Sequence, residues 1–256
     1  MNSKNIGDPL YWAKHFEPLH IALARVVRGH WVKEPPVKDL QLQYTAHYAG
    51  KHCLESVVAS RMANEGGAHA VAVGLLRHAI EALNIIAISI CHNPNKVAIL
   101  QRWNDEKISQ GDIRKILEEE VWPLAPLTGL WNQSWTEFWR SLNKSVQPYA
   151  HFSPLMLRWH VKAEMRGGKF LFWINHPEGD AEQYKGDRIA YFQLLVFWTF
   201  AEIVRVFNAA LKDDLTSLAA LADEGRQKLS TSPFFFKDEG WDIQLLPFVF
   251  PKDEQI

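Results

Sequence analysis

The residues best suited to chemistry fall on two helical stretches. Arg77, Glu81 and Asn84 are spaced by four and three, which puts them on one helix face. The neighbours on that side, Val71, Leu75, Ile85 and Ile88, are apolar. Glu202 and Arg205, spaced by three, sit in equally apolar surroundings. A solvated face carries Lys and Glu throughout, whereas charges set among apolar residues are enclosed and require partners. Two readings follow. The first is a mutually satisfied arginine–glutamate network between two central helices, with Arg77, Glu81, Glu202 and Arg205 close together. The second is a polar pocket in which Arg77, Glu81, Asn84, Glu202 and Arg205 bind a ligand.

Eleven histidines raise the question of metal chemistry. Glu17-Pro18-Leu19-His20 has the Glu-x-x-His spacing of carboxylate-bridged di-metal bundles, but those need the motif twice, with further glutamates. His47, His52 and Glu55 make no better ligand set. The chain has no phosphate-cradling glycine loop, no Cys-x-x-Cys pair and no Gly-x-Ser-x-Gly elbow. Neither metal nor cofactor is expected. Trp131, Trp135 and Trp139 recur every four residues, so they stack along one helix face. That stripe serves either as core or groove packing, or as an exposed platform for a base, a ligand or a protein partner.

Positioning these groups falls to helices. With 47% apolar and 22% charged residues, the chain is globular rather than disordered. A net charge of −1 argues against a surface devoted to nucleic acid, a local basic patch aside. Cys53 and Cys91 lie in apolar helical stretches and read as small core residues. The spacing predicts helices from Asp8 to His30, Asp39 to Asn64 and Ala68 to His92. The third carries a continuous apolar stripe of Val73, Leu76, Ile80, Leu83, Ala87 and Ile90. One or two shorter helices, divided near Gly111, are expected between Asn95 and Glu120. A tryptophan-rich helix starts at Asn132 or Ser134 and ends by Pro148. A long helix runs to about Ala210, and a shorter one covers Leu215–Leu229.

One segment breaks the helical pattern. Leu157–Glu164 and Lys169–Asn175 flank Gly167-Gly168, a pair suited to a tight turn. The alternation turns Trp159, Val161, Phe170 and Phe172 inward. The expected fold class is therefore mainly α: a multi-helix bundle with one inserted antiparallel β-hairpin at about 157–175. It forms a single domain over 1–256, with an extended, aromatic tail at 230–256 packed on the bundle. The polar N-terminus lacks the apolar region of a secretory signal. In the run Ile189–Leu211, polar residues leave Ile189–Ala201 as the cleanest part, too short to span a bilayer. A cytoplasmic protein without membrane association is expected.

A helix reading Arg77-His78-Ala79-Ile80-Glu81-Ala82-Leu83-Asn84, a later helix closing in Tyr149-Ala150-His151-Phe152-Ser153-Pro154, and a long helix after it together resemble the HEPN superfamily. The likeness is nearest to bacterial members related to abortive-infection proteins and covers roughly Asp39 to Leu211. It implies a helical bundle, often a homodimer, whose active members are metal-independent RNases of stress or phage defence. Their motif is an arginine followed a few residues later by a histidine. The histidine does acid–base work and the arginine stabilises charge on the phosphate. His151 matches that histidine. Lys144, two turns earlier, stands where the motif has arginine, and Arg140 precedes it by one turn. Lysine keeps the charge but loses the bidentate fork. A literal match also occurs at Arg25-Val26-Val27-Arg28-Gly29-His30. The resemblance thus implies RNA as partner. The alternative is a non-catalytic helical protein that binds a small ligand, or a protein partner through Trp131, Trp135 and Trp139.

Overall fold

In the computed structural model, which describes residues 9–29, 44–124, 130, 133–146, 161–166, 169–174, 180–207 and 215–230, the first helical stretch divides at Phe16. Helix α1 spans Pro9–His15 and α2 spans Glu17–Arg28. The sequence suggested one helix here; Pro18 explains the division. It has no N–H to give to the Lys14 carbonyl, and its ring crowds that oxygen. The bonds Phe16 N to Trp12 O and His20 N to Phe16 O, both 2.8 Å, carry the backbone across.

Helices α3 (Thr45–Glu65) and α4 (His69–Ile90) form the centre. Between them Gly67 takes φ +77°, the left-handed conformation that glycine adopts without a Cβ penalty. The α4 stripe from Val73 to Ile90 is buried throughout, as its period required. On α3 the buried side is small: Ala46, Gly50, Cys53, Val57 and Ser60. A Cβ on Gly50 would lie 2.7 Å from Val27 Cγ2, so only glycine permits this approach of α2 to α3.

Helix α5 (Lys96–Asn104) and helix α6 (Gln110–Ile116) divide before Gly111, because Ser109 caps α6. The Ser109 hydroxyl accepts from Asp112 N at 3.2 Å, and the Asp112 carboxylate accepts from Ser109 N at 2.8 Å. The chain continues as a π turn, Leu117–Val121, and a 3-10 turn, Trp122–Leu124. Helix α7 (Trp135–Val146) begins after Ser134, which exchanges the same reciprocal bonds with Glu137. Helix α8 (Asp180–Val206) is buried along nearly every side from Asp187 to Val204, and α9 (Thr216–Ser230) packs on it. The inward packing expected of Trp159, Val161, Phe170 and Phe172, and the whole of the 231–256 tail, lie outside the described residues or side chains.

One apolar core takes side chains from all nine described helices and is crossed by a polar seam. Trp12 Nε1 donates to Gln193 Oε1 (2.9 Å), Gln193 Nε2 donates to Ser60 Oγ (3.1 Å), and Ser60 donates to the Ala72 carbonyl (2.8 Å). Each bond stabilises by only about 1 kcal/mol net, but a buried group left without its partner costs about 1–3 kcal/mol. The seam therefore fixes α1, α8, α3 and α4 in register. Two stretches, His69–Ile90 and Gly186–Val206, are long and apolar enough to cross a membrane; within the bundle most of each is buried. The sequence pointed to the run Ile189–Leu211, with Ile189–Ala201 as its cleanest part; the helix that carries it spans Asp180–Val206.

Candidate functional site

The three polar residues that share a face of α4 end in different settings. Arg77 Nε donates to Glu81 Oε1 at 2.8 Å, and both side chains are about a quarter exposed, at 27% and 26%. Asn84, one turn further, is buried and accepts a bond from Trp139 Nε1 at 3.1 Å. It fastens α7 to α4 instead of facing a ligand. On α8, Glu202 is fully buried, and its Oε2 receives Arg205 Nη2 at 2.7 Å and Arg226 Nη2 at 3.6 Å. The bond to Glu202 raises the pKa of Arg205 above its ordinary value, and the Arg226 guanidinium lies over the Trp198 ring, 5.1 Å from its centroid. Among the described residues no ion pair joins Arg77 or Glu81 to Glu202 or Arg205. The expected network of four is two groups: Arg77 is matched within its own helix, and Glu202 draws its second partner from α9.

The tryptophan stripe is core. Trp135 and Trp139 are 1% and 0% exposed. They pack on Trp122, with centroids 5.7 and 5.1 Å away, and Trp135 meets Trp198 at 6.1 Å. Neither ring is available to a base or a protein partner, which corrects the platform reading for these two; Trp131 lies outside the described residues. Arg140 is exposed on α7 and bridges to Glu118 at 3.2 Å, while Lys144 is exposed one turn later. His151 lies outside the described residues, as does His30 of the second arginine–histidine match. Cys53 and Cys91 are free and buried, and burial pushes both thiols up, away from the reactive thiolate.

Among the described residues, a groove of about 360 Å³ lies between α3, α4, α5 and α6. Its wall combines Tyr48, Ala49 and His52 from α3 with His78, Glu81, Ala82 and Ile85 from α4. Trp103 and Asn104 come from α5, and Gln110 is the first residue of α6. The His52 and His78 rings stand 6.3 Å apart, nearly perpendicular at 81°. Gln110 Oε1 is shut away from water and has no hydrogen-bond partner. A buried acceptor in that state is uncommon and requires explanation. A second concavity, about 340 Å³, lies between Cys91–Asn95, Glu120, Leu124 and Phe207. Among the described residues no group of three or more His, Cys, Asp or Glu is placed to hold a metal.

Of the residues singled out in the sequence, only Glu81 lines the α3–α6 groove together with His52. His78, Trp103 and Gln110 were missed. Each belongs to a different helix, so no spacing within one segment links them. Comparison with known proteins finds no matching family model, no matching curated protein and no matching solved structure.

Proposed function

We propose that this chain is a helical binding protein whose groove between α3, α4, α5 and α6 receives a small ligand. The observation that carries the reading is the groove itself, about 360 Å³, whose wall brings His52, His78 and Glu81 together with Tyr48 and Trp103. A binding site is a mostly apolar concavity with a few convergent polar groups, and about 300 Å³ is the lower end of the usual size. Ala49, Ala82, Ile85 and Trp103 supply the apolar part. The test is a ligand-observed NMR screen of one- and two-ring fragments against the wild-type chain and against Ala49→Trp, which fills the groove. Fragments that bind the wild type and are lost from Ala49→Trp support the site. Fragments that bind both proteins equally place it elsewhere.

A second reading keeps the HEPN resemblance, with its RNase activity, cytoplasmic location and homodimer. It is favoured by Arg140 and Lys144, two cations one turn apart at exposed positions of α7 and leading towards His151. Here His151→Ala abolishes RNA cleavage, since an imidazole is suited to proton transfer near neutral pH. Lys144→Arg preserves or raises it, because a guanidinium grips phosphate in two places. Intact RNA after incubation with wild-type protein removes this reading. The inserted hairpin at 157–175 is also part of the proposal. The alternating hydrophobic pattern supports it, and uniformly fast amide exchange from Val161 to Ile174 would remove it.

A further inference from the structure

Resting on the reading of the groove as a ligand site, we infer that its ligand is an organic cation: a protonated amine carried on a compact apolar or aromatic body. Among the described residues of the lining, Glu81 is the only Asp, Glu, Lys or Arg. Arg77, which pairs with it, is not on that wall. A carboxylate accepts hydrogen bonds, and an ammonium has three donors and no acceptor. Trp103 and Tyr48 add two aromatic rings, whose faces attract cations. Ala82 and Ile85 offer the body of such a ligand an apolar floor. An anionic ligand would meet the like charge of Glu81.

Three probes of one shape separate the alternatives: phenethylamine, its neutral counterpart phenethyl alcohol, and the acid hydrocinnamate. Each is titrated calorimetrically into the wild-type chain and Glu81→Gln, with melting temperatures recorded to show that the variant folds. The amine binds best, and the alcohol is weaker by about tenfold, the value of one charge-assisted bond. Glu81→Gln lowers amine affinity by at least about tenfold and leaves the alcohol unchanged. Alcohol or acid binding as tightly as the amine, with Glu81→Gln silent, overturns the cation while the groove stands as a site. If none of the three binds a folded wild-type protein, both the cation and the groove reading fall.

Discussion

Two of the chain's arginine–carboxylate groups, alike in chemistry, sit in opposite surroundings. At Arg77–Glu81 both partners keep about a quarter of their surface in water, and the pair is local, one turn of α4. At Glu202 the carboxylate has no exposure at all, while Arg205 and Arg226 are 41% and 32% exposed. In the first group neither ion has been fully desolvated, so the pair adds little to stability and its carboxylate can turn to another partner. In the second, removing the guanidiniums strands an ion that water cannot reach. Identical pairs thus divide between a site and a scaffold according to which partner is buried.

The sharpest way to break that comparison is to remove both arginines around Glu202. Arg205→Met with Arg226→Met leaves the carboxylate unpaired and lowers unfolding free energy by about 3–5 kcal/mol; a denaturant midpoint close to wild type would mean that Glu202 reaches water. Next in size is Asn84→Leu, which deprives the buried Trp139 indole N–H of its acceptor. The expected loss is about 1–3 kcal/mol, read by thermal unfolding and by the tryptophan fluorescence of the α7 cluster. Gln110→Leu acts in the opposite direction. It removes an orphan acceptor, so stability holds or rises by about 1 kcal/mol. A fall in melting temperature would show that the Gln110 amide serves the fold. Smallest is Arg77→Ala, expected to cost about 0–1 kcal/mol. The sequence alone suggested that Arg77 is enclosed, which would have made this change costly.

That contrast marks how far the sequence could be read. The α4 stripe, the Gly66-Gly67 break and the Ser134 and Ser109 starts are written in local periodicity and capping chemistry, and α4 and α7 were legible in advance. Pro18 was equally legible as a breaker but was passed over in favour of the helical pattern around it. The enclosure of Arg77 was not legible, because apolar neighbours on one face say nothing about whether another helix covers that face. Nor was the α3–α6 groove. Its residues are convergent only once four helices have packed, and Gln110 carries no signal of its own in sequence. The tryptophan period correctly indicated a shared face, and burial of Trp135 and Trp139 decided between core and platform.

The Trp12–Gln193 bond joins positions 181 residues apart, and this has a consequence in time. At roughly 5–20 residues per second, a ribosome needs roughly 10–40 s to make the acceptor after the donor has been made. The α3–α4 pair, contiguous in sequence, can fold during that interval, since nearby segments close first. Helix α1 cannot finish docking, because α8 does not yet exist. Helix α1 is thus made before the rest of this bundle and is among its last elements to be secured. During those seconds the Trp12 and Phe16 rings, both buried in the finished bundle, are exposed to any chaperone or neighbouring chain that meets the nascent protein.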